Sequence, residues 1–145
     1  MKIITITGKQ NTGKTTIIKK LYEHLLSQGA FVCYYDVTGA HFEDIHAVVI
    51  WKRKVICICS VGDDNLHGGL SYIEEGIQIA KKYGTEILIN ALTTKIKETD
   101  YQMLLKKYNA GECYIPCPMK DNLYKIECIK HNQERLDFIL RELEK

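Results

Sequence analysis

Residues 2–15 read Lys2-Ile3-Ile4-Thr5-Ile6-Thr7-Gly8-Lys9-Gln10-Asn11-Thr12-Gly13-Lys14-Thr15. Ile3, Ile4, Thr5, Ile6 and Thr7 make a β-branched run that stops at a glycine, as a buried strand does before its turn. From Gly8 to Thr15 the chain matches G-x-x-x-x-G-K-[ST] at every fixed position. Over residues 14–28, Ile17, Ile18, Leu21, Leu25 and Leu26 recur at helical spacing, and Gly29 follows as a stop. The glycine stretch therefore stands between a strand and a helix.

The remaining elements follow in alternation. Residues 31–36 (FVCYYD) read as a second strand parallel to the first, with Asp36 at its C-terminal edge. Residues 46–51 and 54–61 are separated only by Lys52-Arg53, so they pair as a hairpin. That turn lacks Gly and Asn, which leaves one long bulged strand as the competing reading. Gly62-Asp63-Asp64 closes the second strand, and Ser71 with Glu74 predicts a capping box for a helix that turns Ile73, Ile77 and Ala80 inward and ends near Gly84. Residues 86–90 (EILIN) make another strand. Thr99 and Gln102 predict a second capping box, for a helix carrying Tyr101, Leu104, Leu105 and Tyr108 and ending near Gly111. A short strand over residues 112–116 is expected to end at Pro116 and Pro118, and residues 122–144 form a helix with Leu136, Ile139, Leu140 and Leu143 as its apolar stripe. This order predicts one α/β domain over residues 1–145, with a mostly parallel sheet covered on both faces and an antiparallel edge strand from the hairpin. In such sheets ligands sit at the carboxyl ends of the strands.

The two glycines of the first turn let successive N–H groups point inward at a β-phosphate, above the positive end of the following helix. Lys14 then reaches the β- and γ-phosphates, and the Thr15 hydroxyl is the expected Mg²⁺ ligand, with Thr16 beside it. Gly8, Lys9, Gln10, Asn11, Thr12, Gly13, Lys14, Thr15 and Thr16 are thus the candidate nucleotide-binding residues. The stretch resembles the Walker A element of the P-loop NTPase superfamily. That resemblance implies a three-layer P-loop NTPase fold, Mg²⁺ as cofactor and chemistry on a nucleoside triphosphate. The superfamily holds kinases, GTPases and ATPases alike, so the resemblance names no single reaction.

The resemblance also implies a second carboxylate, at a strand end, that holds the metal's water shell. Asp63 is the favoured residue, as metal ligand and catalytic group, with Asp64 next to it; the plain alternative is a polar turn. Asp36 is similar to the carboxylate that small-molecule kinases of the superfamily carry after their second strand, where it orients an acceptor hydroxyl or a metal water. A surface turn is the alternative there. Lys9 stands where ParA and MinD-like ATPases have a lysine that crosses a dimer to the partner's nucleotide, although Gln10 and Asn11 replace that group's glycines. The Asn-Lys-x-Asp element of GTPases does not follow residues 86–90, where the chain reads Asn90-Ala91-Leu92-Thr93-Thr94-Lys95-Ile96-Lys97, so ATP is favoured over GTP. The only arginines are Arg53, Arg135 and Arg141, leaving Lys95 and Lys97 as the best lid cations.

With 46% hydrophobic and 26% charged residues and a formal net charge of +2, the 145-residue chain has material for a core and no strong nucleic-acid or membrane signal. Its start lacks a leader-like apolar stretch, so a cytoplasmic protein with six reduced cysteines is expected. Cys113, Cys117, Cys128 and His131 offer zinc-ligand types, but a proline-containing strand and a helix are poor carriers for that spacing. The expectation is a Mg²⁺-dependent ATP-binding protein that hydrolyses ATP or transfers its γ-phosphate to a small-molecule acceptor, with Lys14, Asp63 and Asp36 as catalytic groups. The alternatives are a switch that dimerises on ATP through Lys9, and a nucleotide-binding module without turnover.

Overall fold

A computed structural model describes residues 1–9, 12–38, 43–61 and 70–145. The elements are β1 (Lys2–Gly8), α1 (Lys14–Ser27), β2 (Phe31–Thr38), β3 (Asp44–Trp51), β4 (Lys54–Cys59), α2 (Ser71–Lys82), β5 (Ile87–Thr93), α3 (Glu98–Lys107), β6 (Cys113–Pro118) and α4 (Lys125–Leu143). The strands form one sheet in the order β2-β3-β4-β5-β1-β6. Strands β4, β5, β1 and β6 pair in parallel, whereas β3 is antiparallel to both β2 and β4. Five strands therefore point one way and β3 alone is inverted. The fold is α/β with a mostly parallel sheet, and the hairpin reading of β3 and β4 holds.

The hairpin's place in the sheet differs from the expectation. The inverted strand lies inside the sheet rather than at its edge, because β2 adds beyond it and covers its free side. Its apolar run explains this: Ile45 to Val49 are all buried, and a strand so apolar on both faces is unsuited to a solvent edge. The turn closes at Trp51 opposite Lys54, with Lys52 and Arg53 both at positive φ, 49° and 66°. This is the two-residue hairpin geometry that Asn-Gly normally supplies. Lys52 is held there by its Nζ over the Trp51 ring at 4.5 Å and by an ion pair to Glu144 at 2.6 Å.

Helices flank both faces. On one, Ile17, Ile18, Leu21 and Leu25 of α1 and Leu136, Ile139 and Leu143 of α4 bury Ile4, Ile6, Ile58 and Ile89 of the sheet. On the other, Ile73, Ile77 and Ala80 of α2 and Tyr101, Leu104 and Leu105 of α3 pack against Ile3, Val48, Cys57 and Leu88. Between β1, β5 and α3, Thr5 donates to Asn90 Oδ1 at 2.7 Å, and Asn90 Nδ2 donates to the Tyr101 hydroxyl at 2.9 Å. Burial pushes the Tyr101 phenol up to about 12.

Neither capping box forms. Helix α2 starts at Ser71 itself, which puts Leu70 in the cap position, and Glu74 turns away to accept from Tyr108 at 2.6 Å and Lys107 at 3.0 Å. Helix α3 likewise starts at Glu98, leaving Lys97 as cap and Thr99 within the first turn. Strand β6 runs through Pro116 and ends at Pro118. It is an edge strand, and the Met119 amide donates to the Thr7 carbonyl, so the odd-numbered amides of β6 face β1. Pro116 and Pro118 direct their missing N–H outward, where the ladder needs none.

Arg53 is exposed and holds a left-handed backbone that costs a non-glycine residue roughly 1 kcal/mol. The variant Arg53→Gly should gain about that much stability, read as a higher urea midpoint at unchanged slope.

Candidate functional site

The glycine stretch leaves β1 at the carboxyl edge of the parallel strands, where Gly8 is fixed from both sides. Its carbonyl accepts the Thr94 amide at 3.1 Å, and a side chain on it would meet Thr12 Oγ1 at 2.9 Å and Met119 Cβ at 3.0 Å. Gly13, the residue before α1, has φ 92°, a left-handed conformation that β-carbon-bearing residues resist. A β-carbon on it would lie 3.3 Å from Asn132 Oδ1.

Helix α1 begins with no side-chain cap and no acidic residue in its first turn. Its leading amides and their partial positive charge are therefore uncompensated by its own side chains. Into the same corner comes Lys14, only 8% exposed, whose Nζ donates to the carbonyls of Lys9 at 2.6 Å and Gly8 at 3.2 Å. Thr12 Oγ1 donates to the Lys9 carbonyl as well, at 2.8 Å. A buried ammonium and a helix N-terminus thus stand together on one small loop, the two donor types from which anion sites are built.

The Thr15 hydroxyl meets a carboxylate that the sequence did not single out. Asp44 Oδ1 accepts from Thr15 Oγ1 at 3.3 Å and from Ser60 Oγ at 2.7 Å, and Ser60 Oγ accepts the Ile45 amide at 2.9 Å. Asp44 opens the inverted strand β3, so its beginning, not its end, stands at the carboxyl edge of β4. A search for acids after strands passes over such a residue. Its one sequence signal is an acidic residue just before a β-branched run.

The other expected residues fall differently. Asp63 and Asp64, with Gln10 and Asn11, lie outside the described residues; β4, which leads to the aspartates, is separated from β1 by β5. Asp36 is not a strand-end residue. Strand β2 continues to Thr38, and Asp36 accepts the Tyr34 hydroxyl at 3.4 Å, with the Tyr34 ring packed on Tyr83 of the α2 face. Tyr35, between them, stacks instead on Tyr22 of α1. Alternation thus puts Asp36 on the face opposite α1, away from Thr15. Thr16 is exposed on α1. Lys9 forms an ion pair with Asp121 at 2.9 Å, and each partner shifts the other: the bond to Asp121 raises the ammonium and the bond to Lys9 lowers the carboxyl. Lys95 and Lys97 are exposed beyond Thr94, next to the loop.

Residues 119–132 border the loop, with Met119 next to Gly8 and Asn132 next to Gly13. His131 accepts the Lys120 amide on Nε2 at 3.0 Å, and burial, followed by Arg135 and Lys120, lowers its pKa and keeps it in the neutral form that can accept. Cys128 Sγ donates to the Leu123 carbonyl, Cys117 is buried and Cys113 is exposed. Among the described residues no three His, Cys, Asp or Glu side chains gather as a metal cage. Mg²⁺ bound mainly by phosphate and water requires no such cage. No helix among the described residues is long and apolar enough to cross a membrane.

No family model and no curated protein matches the chain. Among solved structures it is similar to one described as "Crystal structure of APE1195", with a TM-score of 0.45 and 16% identity over 99% of this chain and 72% of that one. A likeness of that size says nothing about what this chain does.

His46 offers a test of the region beside Asp44. It is 1% exposed, neither ring nitrogen has a hydrogen-bond partner among the described residues, and Glu75 of the packed helix stands 3.9 Å from Nδ1. Burial lowers its pKa, against the opposing pull of Glu75, Asp36 and Asp44. The unfolded chain therefore takes up this proton at higher pH than the folded protein does. Stability is complete above the unfolded value near 6.5 and falls as pH drops below it, by at most about 1.4 kcal/mol per pH unit. His46→Leu should flatten this acid slope in urea titrations from neutral pH downward, while His131, present in both proteins, contributes equally.

Proposed function

We propose that the chain binds a Mg²⁺–nucleoside triphosphate, by preference ATP, at the loop from Gly8 to Thr15 of a three-layer P-loop NTPase fold, and acts on the γ-phosphate. The observation that carries this reading is the convergence of the buried Lys14 ammonium with the uncapped start of α1 at left-handed Gly13. Phosphoryl transfer and hydrolysis both spread negative charge over the γ-phosphate oxygens, and fixed donors aimed there lower the barrier. Lys14 and the loop amides supply those donors. Thr15 would ligate Mg²⁺, and Asp44, already within 3.3 Å of its hydroxyl, would hold a water of the metal's shell.

A second reading, a switch that assembles on nucleotide, is favoured by one observation. Tyr124, Ile126 and Ile129 are 81%, 82% and 60% exposed just after Asp121, the residue that pairs with Lys9. In that reading nucleotide would release Lys9 toward a second copy, and the exposed apolar residues would be covered there.

Calorimetry with ATP, GTP and a non-hydrolysable ATP analogue in Mg²⁺, combined with light scattering, tests both. Lys14→Ala should weaken ATP binding by about tenfold or more, the size of a lost charge-assisted contact. Unchanged affinity in that variant would sink the nucleotide site. Asp44→Asn should leave binding without Mg²⁺ intact and weaken the Mg²⁺-dependent part. A doubling of mass on ATP addition selects the switch; constant mass with release of phosphate from ATP but not from the analogue selects the enzyme.

A further inference from the structure

Asp44 lines a second feature. Between α1 and the outer strands lies a cleft of about 290 Å³, close to the lower size of small-ligand pockets. Lys19, one turn along α1 from Thr15, stands on its helical side together with Tyr22 and Glu23. The Tyr22 ring stacks on Tyr35 with centroids 5.5 Å apart and planes at 27°. Tyr35 is 50% exposed and Val37 40% exposed, so on this face the edge strand presents an aromatic and an aliphatic side chain where edge strands usually carry charge.

Charge decides what this cleft can take. Glu23, Glu43 and Asp44 line it against the single ammonium of Lys19. Anions, nucleoside monophosphates among them, are repelled. A cation gains from the carboxylates and from the negative faces of the tyrosines, which attract cations. A flat ring on such a cation can extend the Tyr22–Tyr35 stack.

We propose that the cleft between Tyr22, Tyr35 and Glu43 is a binding site for a small flat organic cation, a ring bearing a protonated amine, next to the glycine loop. The ring lies against Tyr35 and Val37, and the ammonium is received by Glu43 and Glu23. The cleft shares Asp44 with the proposed nucleotide site, but the side chains that would receive the ring and the ammonium, Tyr35, Val37, Glu43 and Glu23, require no phosphate.

The test uses tyramine as probe and 4-hydroxyphenylacetate as its anionic counterpart, titrated by ligand-observed NMR against the full chain, Tyr35→Ala and Glu43→Gln at neutral pH. Tyramine should bind at millimolar concentration, and the anion at least tenfold more weakly, a difference of about 1.4 kcal/mol. Tyr35→Ala should lower tyramine affinity about fivefold or more, and Glu43→Gln about threefold at low salt. Circular dichroism checks that Tyr35→Ala is folded. Glu43 is exposed, so its variant keeps the test valid if Tyr35→Ala is not. Equal affinity for the two probes, no tyramine binding up to about 10 mM, a range that spans weak small-ligand affinities, or unchanged affinity in the folded variants would overturn the proposal. Mg²⁺-ATP titrated into the same samples separates the two sites. Loss of ATP binding with tyramine binding kept would sink only the nucleotide reading, and the reverse outcome only the cleft.

Discussion

The position of β1 between β5 and β6 is the constraint on which the site depends. Every residue from Lys2 to Gly8 is paired with β5, and Lys2 to Thr7 are also paired with β6. A strand held on both sides cannot drift in register, so Gly8 is delivered to one place at the carboxyl edge. The Thr94 amide and Met119 then close on it from the two neighbouring strands. From there the chain has only a few residues in which to turn and start α1. Lys14 and Thr15 inherit their positions from that short span, and the apolar stripe of α1 fixes the helix over the sheet.

Local patterns made the elements legible. The β-branched run before Gly8, the helical spacing through Leu25 and the two-residue gap at Lys52-Arg53 each led to an element that is present. Helix starts were less legible. Ser71-x-x-Glu74 and Thr99-x-x-Gln102 have capping spacing, yet each helix begins one residue or so earlier than a box requires, and Glu74 is taken by Tyr108 and Lys107 of the next helix. A tertiary contact 34 residues away outweighed a local one. Pro116 misled for a related reason: proline forbids a ladder bond, and whether that matters depends on which side of the strand is open.

At the site, the reading followed the rule that acids matter at strand ends. Strand β3 breaks the premise, because an inverted strand presents its first residue at the edge where its neighbours present their last. Asp44 reaches Thr15 by that route, and Ser60 and Ile45 orient it. Asp36 is placed by the complementary route: side-chain alternation along β2 sends it to the face away from α1. Sheet order and strand direction are properties of the whole chain, so neither placement could be read from residues close in sequence.

The sheet order also has an entropic side. Strands β2, β3 and β4 follow one another closely and pair as an antiparallel meander, so their contacts form with little loop closure. Strand β1 has no such neighbour: the Thr5–Asn90 bond joins residues 85 positions apart, and β6 lies further still along the chain. Its parallel pairings carry the larger entropic cost of loop closure. The strand that the chain order places first is thus paired entirely with residues from the downstream half of the chain, so damage to β5 or β6 is also damage to the placement of Gly8.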